Sequence, residues 1–456
     1  MTMQSILTPA QASASSTSSV FPPFRHKIAR KPPNGCGARA APSGVSGSLG
    51  TNAKYSVFPP DRVIFDPMAA RVARFALQSV ARKFLPHSRT NNCLRLRAFG
   101  QDIQVIRSKE YKTASYTGLQ TCGSVWACPV CAAKIAERRR VEIQAAMAMH
   151  KGQGGAVNLL TLTTPHQRTD NLRELLENQS TALKYFKEDT TVRNIFKDLS
   201  IVGQIRALEV THGRKSPTNN GWHPHYHFLL FSDIHLANEY TREGMADRLY
   251  IRWAACCVRA GLGEPSRLHG IKLDDGEKAA KYVSKWGLED EMTKGHTKKA
   301  LHGETPFDFL RSYLADSKDK QAGALFKEFA ETFKGKRQLH WSAGLKKRFA
   351  IGEVSDEELL NRHEDDAAFL GQITLNQWKE VLRDDGRGFI LQLAAKFGWS
   401  PVAEYLEVMQ ERHIERKRLE SLTVLDEVTA GWSAEMKAEF QKSIDQENGI
   451  NMGCYD

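Results

Sequence analysis

Residues 222–231 read Trp222-His223-Pro224-His225-Tyr226-His227-Phe228-Leu229-Leu230-Phe231. An apolar run with histidines at every second position near its start is the pattern of a short strand. Side chains on a strand alternate faces, so His223, His225 and His227 point the same way. At about 3.3 Å rise per residue, the Cα atoms of His225 and His227 stand roughly 7 Å apart, near enough for two imidazoles to converge on one metal ion. His223 lies roughly 13 Å from His227 along the strand and does not reach the same point. The alternative is a histidine-rich edge strand with no ligand, and the surrounding sequence has to decide.

Immediately upstream, residues 205–211 (IRALEVT) read as another strand, with Leu208 and Val210 on one face and Glu209 and Thr211 on the other. The loop GRKSPTNNG, residues 213–221, carries the turn residues of a hairpin. If Thr211 sits opposite His223, Glu209 faces His225, and a carboxylate joins the two imidazoles. Otherwise Glu209 is a charge at a sheet edge. Residues 157–166 (VNLLTLTTPH) form a further strand stopped by Pro165, where Thr161, Thr163 and Thr164 fit as ordinary strand residues. A helix follows from about 171 to 186, with Asp170 as its N-cap and Leu172, Leu175, Leu176, Leu183 and Phe186 at core spacing.

Downstream, residues 239–260 read as a helix; Cys256 and Cys257 are adjacent in it, do not share a face, and read as packing. Residues 276–287 (GEKAAKYVSKWG) form a short helix on which Tyr282 and Lys285, three apart, share a face. Taken alone, that tyrosine reads as packing. Thr305 and Pro306 look like the N-cap and first turn of another helix. Residues 332–352 contain no acid but include Lys334, Lys336, Arg337, Lys346, Lys347 and Arg348, with Trp341 and Phe349 interleaved. Such a segment suits nucleic-acid contact as well as it suits a solvated basic face. From 355 onward, mixed-charge helical stretches dominate and carry no site chemistry.

Cys128-Pro-Val-Cys131 is a tight knuckle that presents two thiolates to one metal, with Cys122 six residues before it and Cys93 further upstream. Structural zinc takes four such ligands, which makes Cys93, Cys122, Cys128 and Cys131 a candidate set. A redox pair is the alternative, but no βαβ context surrounds these residues. The helix that begins at about 132 is basic in its first half (Lys134, Arg138, Arg139, Arg140), either as a solvated face or for phosphate contact. A helix over 69–85, stopped by Pro86, reads as packing.

The chain has 456 residues, room for two or three domains, with 41% hydrophobic and 25% charged residues, as in globular proteins. No run of about 18 apolar residues marks a membrane span. The net charge of +12 asks for a polyanionic partner, and without an amphipathic basic anchor nucleic acid fits better than membrane. Eight grouped cysteines do not make a secreted disulfide framework. Residues 1–60 hold no acid and carry Arg25, Lys27, Arg30, Lys31, Arg39 and Lys54, half of the net charge. Rich in Ser, Ala, Pro and Gly, they read as a disordered basic arm, although a transit peptide has a similar composition. The division expected is the arm at 1–60, a helix and zinc-knuckle region at 61–150, a catalytic domain at 151–350 and a helical region at 351–456.

The order of these motifs resembles the rolling-circle replication initiators of small bacterial plasmids, within the HUH (His-hydrophobic-His) endonuclease group. The likeness is carried by the cysteine knuckle, by Leu160-Thr-Leu-Thr-Thr-Pro-His166, by His225-Tyr226-His227, by Lys281-Tyr282-Val-Ser-Lys285 and by the basic segment that runs from Lys334 to Phe349. The resemblance implies an α+β fold: a five-stranded antiparallel sheet with flanking helices. It implies a bacterial cytoplasmic nicking-joining enzyme in which His225 and His227 bind Mg²⁺ or Mn²⁺, and the hairpin register considered above would add Glu209 as a third ligand. Tyr282 is then the nucleophile, with Lys285 one turn beyond, and the products are a 5′-phosphotyrosine and a free 3′-hydroxyl. Implied partners are single- and double-stranded origin DNA and the host helicase and polymerase. One departure stands out. Some initiators carry a carboxylate one turn before the tyrosine to activate water at termination, and Lys278 occupies that place here. Glu277, five residues before Tyr282, is about 140° around an ideal helix from it. An HUH transposase shares the metal and the tyrosine but often pairs two tyrosines four apart, and positions 278 and 286 here are Lys and Trp. A zinc-containing DNA-binding regulator without catalysis is the remaining alternative.

Overall fold

The computed structural model describes residues 67–109, 112–235, 239–285, 303–361, 367–428, 430–439 and 442. The basic arm expected at 1–60 lies outside the described residues. Among the described residues, strands β1 (Ile103–Ser108), β2 (Ala114–Thr117), β3 (Ala156–Thr163), β4 (Ile201–His212), β5 (Trp222–Ser232), β6 (Ile271–Asp274), β7 (Leu339–Trp341) and β8 (Ala367–Ile373) form two sheets. One is three-stranded, in the order β2-β1-β8; the other is five-stranded, in the order β6-β3-β5-β4-β7. Every pairing is antiparallel. The longer helices are α1 (Pro67–Phe84), α2 (Pro129–Gly152), α3 (Leu172–Glu188), α4 (Thr190–Asp198), α5 (Glu239–Arg259), α6 (Gly276–Lys285), α7 (Pro306–Ala315), α8 (Lys320–Thr332), α9 (Leu375–Arg383), α10 (Arg387–Phe397) and α11 (Ser400–Val428). No described helix is long and apolar enough to cross a membrane.

The histidine strand β5 is the middle strand of the five, so it is not an edge. Both of its faces are covered, which explains its nearly continuous burial. On the back face, Leu160, Leu162, Leu208, Val210, Tyr226, Phe228 and Leu230 pack with Leu175, Leu183 and Phe186 of α3 and Trp253 of α5. The front face changes character along its length. At one end Val157 and Leu159 pair with Phe231 and Leu229. These four pack under Ile143 and Met147 of α2, Ala279 and Val283 of α6, and Phe349. At the other end of the same face Thr161 and Thr163 pair with His227 and His225. Burying each large apolar side chain contributes roughly 1.5–3 kcal/mol, so the apolar half of the face anchors a polar half that contributes little by itself.

Two local expectations need correction. The N-cap of α3 is Asn171, whose side chain accepts from the backbone N–H groups of Arg173 and Glu174 at 2.9 and 3.2 Å. Asp170 closes the preceding turn instead, accepting from Gln167 N–H at 2.7 Å. Both residue types cap well, so sequence alone could not separate neighbours. The region after 351 is not all helical. β8 pairs with β1 more than 250 residues earlier, from Ile103 opposite Ile373 to Ser108 opposite Ala367. Phe75, Val105 and Tyr116 then share one core with Ile373, Trp378, Ile390 and Leu406. That sheet and that core are built from residues on both sides of the 151–350 segment. Local periodicity carries no information about so distant a pairing partner.

Candidate metal and nucleophile site

In the β4–β5 hairpin Thr211 stands opposite His223 and Glu209 opposite His225. Its turn end is clamped by an ion network around the buried Glu304. The Arg214 guanidinium lies 2.8 Å from both Glu304 and Asp319, and the Lys215 ammonium is also 2.8 Å from Glu304. With the register fixed, Glu209 Oε2 lies 3.5 Å from His225 Nε2 and 3.7 Å from His227 Nε2. The three donor atoms fall within 4.8 Å of one another.

The far nitrogens of both rings are occupied. His225 Nδ1 is 3.2 Å from the carbonyl of His223, which can only accept, so this nitrogen carries a proton and Nε2 is the atom turned to Glu209. His227 Nδ1 is 2.9 Å from the Thr161 hydroxyl. Both Nε2 atoms are buried without a hydrogen-bond partner. Two orphaned imidazole nitrogens aimed at one carboxylate oxygen fit a divalent cation, and partners behind the rings are how ligating histidines are usually oriented. Burial lowers the pKa of His227 to about 4, leaving its ring neutral at pH 7. Burial alone would raise Glu209, but His227, His225 and the Tyr282 hydroxyl outweigh it and hold the carboxyl at about 2.

Tyr282 arrives from α6, directly after β6. Asp275 caps this helix, accepting from the N–H groups of Glu277 and Lys278 at 3.1 and 3.0 Å. Ala279 and Val283 are buried against the front face. That orientation places Tyr282 over the polar half of the sheet, its ring centroid 4.6 Å from that of His227. The hydroxyl donates to Glu209 Oε1 at 2.5 Å. Glu209 therefore turns one oxygen to the histidines and the other to the phenol. Lys285 is the last residue of α6, one turn beyond Tyr282.

The acids near the tyrosine are accounted for. The helix starts regularly, and Glu277 points to solvent, paired with Lys281 at 2.6 Å. Lys278 reaches back to Asp274 at 2.8 Å. Asp274 and Lys272 both lie on the front face, opposite Leu159 and Thr161. Thr161 was legible only as an ordinary strand residue. The available signal was parity: Thr161 shares the face of Val157 and Leu159, the partners of the histidine strand. His166 lies against His223, not against the His225 and His227 pair.

The four cysteines also converge. Their sulfurs approach at 3.5 Å (Cys93 and Cys131), 3.6 Å (Cys122 and Cys131) and 3.8 Å (Cys93 and Cys128), and none is in a disulfide. A tetrahedron with metal–sulfur bonds of about 2.3 Å has edges of about 3.8 Å. Cys128 is the N-cap of α2 and Pro129 its first residue, so Cys128 and Cys131 project from one helix end. Burial pushes the Cys128 thiol well above its usual range. A set of thiolates there calls for a compensating cation.

The basic residues do not share one environment. Lys334, Arg337, Lys347 and Arg348 are exposed and Lys336 is half-buried. Lys346 is buried, with Glu353 at 3.5 Å, Glu142 at 3.7 Å and the Trp341 ring beneath it. Its charge is used inside the protein, so the expectation of DNA contact does not extend to it. On α2, Arg139 and Arg140 are likewise tied to Asp356, Glu142 and Glu137.

Residues 117–252 match the family model described as replication protein. That span holds Cys122, Cys128, Cys131, Glu209, His225 and His227, and ends before Tyr282. The chain is 28% identical to Protein rep of Streptomyces lividans over 59% of this chain and 61% of that protein. It is 29% identical to a protein of Streptomyces cyanogenus called neomycin resistance protein, over 25% of this chain and 30% of that one. The chain thus spans less than two thirds of the length of either relative. No solved structure gives a significant match. The matched model and the first of these relatives agree: over residues 117–252 the chain is similar to replication proteins.

Proposed function

We propose that this protein initiates plasmid rolling-circle replication by nicking one strand of origin DNA with Tyr282, on an HUH-type catalytic sheet. The observation that carries the reading is the shared carboxylate. Glu209 bonds the phenol through one oxygen and faces the orphaned nitrogens of His225 and His227 through the other. His225, His227 and Glu209 would hold Mg²⁺ or Mn²⁺; imidazoles favour the latter and oxygen ligands the former. The chemistry such an ion supplies when bound is polarisation of the scissile phosphate and stabilisation of its developing charge.

Tyr282 Oη attacks phosphorus. The new bond is P–Oη, the bond that breaks is P–O3′, and the departing oxygen takes up a proton to become the 3′-hydroxyl that a host polymerase extends behind a host helicase. The phenol has an ordinary pKa of about 10. A carboxylate held at about 2 is too weak a base to deprotonate it, so Glu209 positions Oη. Lys285 would favour the phenolate or contact the phosphate. Strand rejoining reverses the same step. Cys93, Cys122, Cys128 and Cys131 would hold a structural Zn²⁺. Lys334, Lys336, Arg337, Lys347 and Arg348 would contact origin DNA.

Polarity tests the reading. A single-stranded origin oligonucleotide labelled at its 3′ end and incubated with the protein and Mn²⁺ should leave label on the protein in a denaturing gel. The same oligonucleotide labelled at its 5′ end should not. Label transfer from the 5′ end, or from neither end, would overturn the proposed step.

A further inference from the structure

The back face of the five-stranded sheet carries a cavity of about 420 Å³ between β3, β4, β5 and helices α3 and α4. Its floor is apolar, with Leu160, Phe186, Phe196 and Phe228 among the lining side chains. Its rim is cationic: Lys187, Arg193 and Lys197 line it, and no acid does. The Lys187 ammonium stands 5.7 Å from the Phe228 ring centroid. Alternation along β3 and β5 puts Leu160 and Phe228 on the face opposite Thr161 and His227, so the cavity is separate from the metal and tyrosine site.

The positive charge does not stop at the rim. On the same face Arg206 lies over the Tyr226 ring at 5.3 Å, with its Nε buried and without a hydrogen-bond partner. Arg206 pairs in register with His340 on the edge strand β7, which Arg337 precedes. Burial first, then the charges of Arg206, Lys187 and Arg337, lowers the pKa of His340, as expected where cations crowd together. Among the described residues, no carboxylate lies within ion-pair distance of Lys187, Arg193, Lys197, Arg206 or Arg337. A volume of this size suits a small organic ligand. An aromatic floor with a cationic rim suits a base with its phosphate.

We infer that this cavity takes one nucleotide of single-stranded DNA, with its base on Phe196 and Phe228 and its phosphate on Lys187, Arg193 and Lys197. The adjoining backbone follows Arg206 and His340 to the sheet edge. The continued cation row favours a strand over a free nucleotide, which would need only the cavity. The inference rests on the proposed DNA partner but not on the nicking step.

The probe is a fluorescent 20-mer of deoxythymidylate, titrated at several salt concentrations. The variants are Lys187→Ala/Lys197→Ala, at two exposed positions, and Phe196→Ala. Each is expected to weaken binding about tenfold. The double variant should also flatten the log K against log salt slope by about 0.7, the counterion release of one phosphate on a single strand. A fold defect alone would not change that slope, and Mn²⁺ binding should be unchanged in both variants. Affinity and slope equal to wild type would overturn the inference and mark a packing void. Displacement of the 20-mer by dTMP at equal affinity would instead assign a free nucleotide, and binding of laurate without competition from the 20-mer would assign an apolar anion. Either outcome would also overturn it. Adduct formation at Tyr282 is scored separately, so loss of the adduct with cavity-dependent binding intact sinks only the nicking reading.

Discussion

In Tyr282→Phe, covalent capture of origin DNA is expected to fall by on the order of 10⁴-fold or more, the scale seen when an enzyme loses its nucleophile. The substitution removes one oxygen and leaves the ring. Helix α6 should stay in place, because Ala279 and Val283 anchor it to the front face. The oxygen removed is the one 2.5 Å from Glu209. Folding stability should fall by about 1.5–3 kcal/mol, the usual worth of a hydrogen bond to a charged group, so Tm should move by only a few degrees while the adduct disappears. A denaturing gel with labelled single-stranded origin DNA and Mn²⁺ reads the first quantity, and calorimetry reads the second. An undiminished adduct would remove Tyr282 from the chemistry.

The second large effect is on stability. Cys128→Ser should abolish stoichiometric zinc, measured by atomic absorption on the purified protein. Binding of structural zinc is worth about 10–16 kcal/mol in small zinc modules, so even partial coupling to folding makes the loss several kcal/mol. The cysteines join three separate pieces: the turn after α1, the exit from β2 and the start of α2. Gln78 of α1 also donates to Cys128 Sγ at 3.1 Å. Loss of the ion should therefore loosen α1 and the three-stranded sheet first, and a strong chelator should reproduce the defect in wild type. Wild-type protein purified without zinc, yet fully stable, would contradict the assignment.

The sequence carried the candidate site unusually far. Alternation on β5 and turn residues at 213–221 pointed to a hairpin, but Glu209 opposite His225 was only one register that the nine-residue loop permits, and it is the one the strands adopt. The cysteine cluster was legible from Cys-Pro-x-Cys spacing, with Cys93 the most remote member. What could not be read was non-local. That Tyr282 bonds the same carboxylate depends on α6 folding back over the front face, which only the packing of Ala279 and Val283 specifies. β8 was hidden inside an acidic helical stretch because its partner β1 lies at the other end of the chain. Lys346 looked like its neighbours Lys347 and Arg348 until Glu142 and Glu353 were found beside it. The back-face cavity left no motif, since its cations come from α3, α4 and β4.

The central claim is that Glu209, His225 and His227 hold one divalent cation beside Tyr282. Anomalous diffraction from a crystal grown with Mn²⁺ tests it most directly. One strong peak is expected about 2.0–2.3 Å from His225 Nε2, His227 Nε2 and a carboxylate oxygen of Glu209. Ordered manganese bound elsewhere, with these three side chains left without an ion, would contradict it.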